Sequence, residues 1–150
     1  MKKSNLIAIG LIILAGIILF VSANSASNKL RMGALGSEHT HSTWDFIADG
    51  RNITDEIFNT PQYQLRHRYV HMEDGNLVIH KHATGITFGF FLETLGVKWN
   101  KKCLTIEQEQ ASYCTDAYDF KFYVNGAEKS DFYSYEMREN DMMRLELRSR

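Results

Sequence analysis

The feature that most restricts how this chain can fold is the stretch Arg66–His82. Two strand-like segments, Arg66–Met72 and Leu77–His82, flank Glu73-Asp74-Gly75-Asn76, with Asp-Gly at the centre. Asp-Gly between alternating segments is the signature of a β-hairpin with a primed turn. A two-residue Asp74-Gly75 loop predicts that Met72 opposes Leu77, Val70 opposes Ile79, Tyr69 opposes His80 and His67 opposes His82. Strand side chains alternate between faces, so Val70, Met72, Leu77 and Ile79 share an apolar face. The other face carries His67, Tyr69, His71, His80 and His82, together with Val78. A slip of one residue would bury the histidines and expose the apolar set, so the pattern selects which face turns inward.

The segments around the hairpin extend this frame. Thr40–Asp49 alternates, with Trp44, Phe46 and Ala48 on one side and His41, Thr43 and Asp45 on the other, which is a half-buried strand closed by Asp49-Gly50. Arg51–Gln64 is weakly patterned, holds the only proline, Pro61, and reads as loop with a short strand or turn. Thr87–Gly96 (TFGFFLETLG) predicts a helix with Thr87 as N-cap and Gly96 as the C-terminal stop. Phe88, Phe91, Leu92 and Leu95 form its apolar stripe. Gly89 is unfavourable inside a helix and suggests close contact between helix and sheet. Short strands are expected at Cys103–Ile106, Tyr113–Cys114, Phe120–Val124 (before Asn125-Gly126) and Met142–Leu147. This order gives an α+β fold, a β-grasp-like mixed sheet with one packed helix.

Ahead of this unit lies an apolar run, Leu6–Val21, preceded by Lys2 and Lys3 and followed by Ser22, Ala23, Asn24, Ser25 and Ala26. A basic start, an apolar stretch and small residues form an export signal, and Val21-Ser22-Ala23 is a candidate cleavage site. Sixteen residues also approach the length of a membrane span, so a retained signal anchor and a cleaved signal both fit. The expected organisation is a hydrophobic anchor helix over residues 1–23, a Ser/Asn/Gly-rich tether over 24–37 and an extracytoplasmic domain over 38–150. Localisation is then the cell membrane, single-pass, or secreted if the signal is cleaved. Cys103 and Cys114, the only cysteines, are most simply a disulfide in an exported domain. Asn52-Ile53-Thr54 is a glycosylation sequon at Asn52.

His39-Thr40-His41 before an aromatic strand, Val78–Ala83 (VIHKHA) and Thr87–Gly96 (TFGFFLETLG) resemble a group of uncharacterised exported proteins, mainly archaeal. That group combines one amino-terminal hydrophobic segment, two HxH elements and a TLGxFLExLG helix. The closing stretch Phe122-Tyr123-Val124-Asn125-Gly126, Tyr135 and Glu139-Asn140-Asp141 resembles the ending of β-grasp modules of the DUF4430 type, with Asn140 where those modules have Gly. The resemblance implies fold and export, and no reaction.

All six histidines lie between residues 39 and 82. Imidazoles two apart on a strand share a face with Cα atoms about 7 Å apart, within reach of one metal ion. His39 and His41 form one such pair and His80 and His82 another, with His71 on the hairpin face of the second. His67 has the weakest claim, because Arg66 and Arg68 flank it. With the cysteines oxidised, imidazole is the softest donor available, which favours Cu(II), with Zn(II) the alternative. Asp45, Glu38 and Glu73 are candidates to orient an imidazole. The plain alternative is a solvated polar face.

Other chemistry finds little support. The net charge of −1 gives no polycation for nucleic acid. There is no G-x-S-x-G, no phosphate-binding glycine loop and no C-x-x-C. No enzyme reaction is assigned. Tyr113, Tyr118, Phe120, Phe122, Tyr123, Phe132, Tyr133 and Tyr135 are more aromatic than a small core requires. An exposed aromatic surface would make the domain an interaction subunit of a membrane or cell-surface complex, with a protein partner and the membrane as its contacts.

Overall fold

A computed structural model describes residues 32–63, 67–73 and 76–150. Met32–Arg150 forms one compact unit. The run Leu6–Val21, Arg66 and the Asp74-Gly75 turn lie outside the described residues. Among the described residues, no helix is long and apolar enough to cross a membrane.

The unit is a mixed α+β fold built mostly of sheet. Its strands are β1 (Thr40–Ala48), β2 (Arg51–Asn52), β3 (Val70–Met72), β4 (Ile79–Lys81), β5 (Val97–Trp99), β6 (Cys103–Ile106), β7 (Ala111–Cys114), β8 (Tyr118–Val124), β9 (Ala127–Lys129) and β10 (Met142–Ser149). The main sheet runs β3-β4-β1-β10-β8-β9, with β2 paired to β1, and β5-β6-β7 form a second sheet. At its centre β1 and β10 are parallel, Thr43 standing beside Met142 and Ala48 beside Leu147. All other strand pairs are antiparallel.

Helix α1 (Thr54–Phe58) and helix α2 (Phe88–Thr94) lie on the core side. Alternation in β1 delivers Trp44 and Phe46 to that side, where Trp44 meets Phe58 and Phe91 at ring separations of 4.9 and 5.3 Å. Phe88 stacks on Phe122 of β8 at 5.5 Å. The second sheet adds Val97, Leu104 and Ile106, all buried. Each such side chain contributes roughly 1.5–3 kcal/mol by leaving water. Cys103 and Cys114 stand opposite each other in the β6–β7 ladder and form a disulfide.

Helix α2 follows its sequence signals. The Thr87 side chain accepts a hydrogen bond from the Phe90 amide at 3.1 Å, and Gly96 takes a positive φ of 74° just past the end. Helix α1 falls where a loop is expected. Five residues cannot nucleate a helix alone. This one is held by Ile53 and Phe58 in the core and by Asn52 Oδ1, which accepts from the Thr54 amide at 3.0 Å and the Thr54 hydroxyl at 2.7 Å.

Gly89 answers to a different neighbour from the one expected. It meets the loop at Tyr133 rather than a strand, its amide donating to the Tyr133 carbonyl at 3.1 Å, while the Phe88 amide donates to Tyr135 at 2.8 Å. The loop thus satisfies two free amides of the helix start. A Cβ at Gly89 would lie 2.4 Å from the Tyr133 carbonyl oxygen. Gly89→Ala is expected to destabilise the unit by about 2 kcal/mol, despite the better helix propensity of alanine, and thermal unfolding checks the sign.

The hairpin register is also corrected. Val70 pairs with Lys81, His71 with His80 and Met72 with Ile79. The Glu73 amide donates to the Val78 carbonyl at 3.0 Å, which carries the same register one step further. The register differs by two residues from that of a two-residue turn. A shift of two preserves the facing within the ladder, so His71, His80 and His82 still share one face and Val70, Met72 and Ile79 the other.

The aromatic surface is corrected as well. Phe122 and Phe132 are buried, Tyr113, Tyr118, Phe120, Tyr133 and Tyr135 pack against the core while partly covered, and Tyr123 is half-buried outside that set. Among the described residues the exposed large apolar side chains are Met32, Leu35 and Met142.

Candidate metal centre

The histidine face arises from two ladders meeting on β4. Antiparallel pairing of β1 with β4 sets His41 beside His80, and pairing of β3 with β4 sets His71 on the other side of His80. The row reads His41, His80, His71 across three strands. One step along, His39 precedes β1 and approaches His82, whose amide donates to the Tyr69 carbonyl at 2.8 Å. Core residues Ser42, Val70, Met72, Ile79 and Lys81 alternate with these histidines and point the other way.

The five rings crowd together. Centroids lie 4.3 Å apart for His39 and His80, 4.5 Å for His80 and His82, 5.2 Å for His71 and His82, and 4.5 Å for His41 stacked on His80. The tips are closer still. His80 Nε2 and His39 Nε2 are 2.8 Å apart, and His82 Nε2 and His71 Nε2 are 3.2 Å apart. Two imidazole nitrogens at such distances share either a proton or an ion. At a bond length of about 2.0 Å, neighbouring ligands lie about 2.8 Å apart in a square plane and about 3.3 Å apart in a tetrahedron.

His39, His80 and His82 each offer a nitrogen within 4.8 Å of the other two. His71 joins them through His82. Its Nδ1 lies 2.9 Å from the Met72 carbonyl, which accepts a proton only, so Nδ1 carries the hydrogen and Nε2 is left with its lone pair. His41 sits at the rim. Its Nε2 is 3.6 Å from Glu73 Oε1 and its Nδ1 is 3.9 Å from Glu139 Oε1. A cavity of about 410 Å³ opens beside it, bounded by Thr43, Val78, Asn140 and Met142. His67 stands outside the group, its ring against Tyr69 and Phe90.

Of the carboxylates proposed to orient the rings, Glu73 reaches His41. Asp45 instead accepts from Asn52 at 2.8 Å and lies 3.7 Å from Arg144. Glu38 pairs with Lys81 at 2.9 Å. Lys81, in sequence between His80 and His82, points inward, is 2 % exposed, and donates to the Met137 carbonyl. The pair fastens the residue before His39 to the strand that carries His80 and His82. Sequence reading missed both this role and Glu139, which accepts from the His41 amide at 2.8 Å. A lysine alternating with apolar residues, between two histidines, was the available signal for the first. The second depends on the parallel pairing that brings residues 139–142 beside the start of β1.

Asn52 is exposed, but its amide donates to Asp45, and the sequon hydroxyl of Thr54 is fully buried with the Phe46 amide donating to it.

Burial pushes the His80 and His82 imidazolium forms down in pKa, and the neighbouring rings push in the same direction: His39 and His82 for His80, His71 and His39 for His82. Both rings are therefore neutral at pH 7, the form that binds metal. A group with its pKa lowered by folding contributes stability fully above its unfolded value of about 6.5, and that contribution is lost as pH falls below it. Without metal, the melting temperature is expected to fall between pH 7 and pH 5, and less steeply in a His80→Asn/His82→Asn chain. Equal slopes in a pH series of thermal melts would contradict this.

No protein-family model, curated protein or solved structure matches this chain.

Proposed function

We propose that this protein is a membrane-tethered, extracytoplasmic domain that binds a divalent transition metal through its histidine face. The ion is held by His39, His80 and His82, with His71 beside His82. The observation that carries the reading is the convergence of four Nε2 atoms in two close pairs on one open sheet face. A merely solvated face would spread its imidazoles toward water rather than crowd five of them and lower the basicity of His80 and His82.

Copper is the favoured ion, with zinc the alternative. An all-imidazole set follows the affinity order that places Cu(II) highest, and the Cys103–Cys114 disulfide fits an oxidising compartment and leaves no free thiol among the described residues. The basic start and the apolar run Leu6–Val21 support the tether and export. The parallel β1–β10 pair flanked by hairpin strands, with α2 packed across one face, supports a β-grasp-like assignment. The role is holding or delivering the ion. The rival reading, a purely adhesive subunit, is less favoured because most of the aromatic residues it needs are buried in the core or packed against it.

The test is titration of the full-length chain, in non-ionic detergent, with Cu(II) and Zn(II) by calorimetry. Binding of Cu(II) with submicromolar Kd, abolished by His39→Asn combined with His82→Asn, is the expected result. Failure of both ions to bind with micromolar Kd or better would overturn the reading.

A further inference from the structure

Two overlapping groups of donors exist on the histidine face. The first is His39, His80 and His82, and the second is His41, Glu73 and His80. The groups share only His80, which stands in the middle of the cross-strand row with His41 on one side and His71 on the other. Its Nε2 is turned to His39 at 2.8 Å, which leaves Nδ1 as its other donor atom.

The second group has its own character. The His41 and Glu73 side chains are about two-fifths exposed, and the Glu73 carboxylate brings a negative charge that the first group lacks. Glu139 adds a further carboxylate 3.9 Å from His41 Nδ1. The cavity beside His41, lined also by Asp141, leaves room for water that can complete the coordination of an ion there.

Resting on the metal-binding reading above, we infer that the face takes two ions: the first on His39, His80 and His82, and the second on His41 and Glu73, with the His80 ring bridging them. On bridging, the His80 ring gives up its N–H proton to solvent and each of its nitrogens binds one ion, so no redox partner is required. The imidazole-only position suits Cu(II). The position with a carboxylate and an open side suits Zn(II), which tolerates mixed nitrogen and oxygen donors and an exchangeable ligand. Glu73 is then a ligand, rather than a group that only orients an imidazole.

The test counts ions. The full-length chain in detergent is saturated with Zn(II), freed of excess by gel filtration and assayed for zinc per chain by plasma mass spectrometry. Two ions are expected in the wild type, one in Glu73→Gln, one in His39→Asn and none in His80→Asn, with circular dichroism and melting confirming that each variant folds. Glu73 is surface-accessible, so Glu73→Gln keeps the question answerable should His80→Asn unfold. One ion per wild-type chain, or two retained by Glu73→Gln, overturns the second position while leaving the first in place. No zinc in the wild type overturns the second position, and no copper either after a parallel saturation with Cu(II) removes the metal reading itself.

Discussion

Replacing His80 by Ala is expected to weaken binding of Cu(II) or Zn(II) by more than about a hundredfold, since even partners outside the ligand set change affinity 10- to 100-fold. His80 is within 4.5 Å of the His41 and His82 ring centres and 2.8 Å from His39 Nε2, so its loss opens a gap in the middle of the face. The neighbouring strands stay in place, because the core side of β4 is held by Ile79 and Lys81. His67→Ala is the matched control. That ring rests on Tyr69 and Phe90, and its removal leaves affinity unchanged. Calorimetric titrations of both variants decide the matter: equal affinity in the two would mean that the crowded rings are not a binding centre.

The second large effect is on stability. Glu38→Ala strands the Lys81 ammonium, which is 2 % exposed, with only the Met137 carbonyl to receive it. Breaking a buried ion pair from one side typically costs 3–5 kcal/mol, and the 26 % exposure of Glu38 places this case near about 3 kcal/mol. In a unit of this size that lowers the melting temperature by roughly 10 °C. Lys81→Met in the same chain removes the stranded charge and restores most of the loss. The double variant remains impaired in metal binding, because the segment carrying His39 has lost its fastening to β4. Thermal melts and titrations of the single and double variants separate the two effects. A double variant as unstable as Glu38→Ala would show that the charge is not the cause.

Local patterns carried much of the architecture. The alternation in Thr40–Ala48, the capped stripe of Phe88–Thr94, the Asn125-Gly126 turn with φ values of 52° and 80°, and the strand Cys103–Ile106 all depend on neighbours a few residues away. Helix α1 was not legible because it is too short to persist alone and exists by burying Ile53 and Phe58. The two-residue hairpin register failed for a related reason. Asp-Gly marks where the chain turns, but the ladder with β1 contributes to which residues pair, and it pairs His41 with His80. The facing survived because its period is two and the register differs by two.

The candidate site divides in the same way. By itself the sequence determined which side chains share a strand face, since alternation is a property of the backbone, and so it placed His39 with His41, and His71 with His80 and His82. It determined the donor chemistry too, by concentrating all the imidazoles within one stretch of the chain. Only the tertiary structure decided that the two HxH segments are neighbours, because strand order rests on contacts between residues about forty apart. It also decided that Glu139 lies at the rim and that Lys81 turns inward to fasten Glu38. Those outcomes follow from the parallel β1–β10 pair and from the desolvation of one ammonium, and no local pattern encodes either.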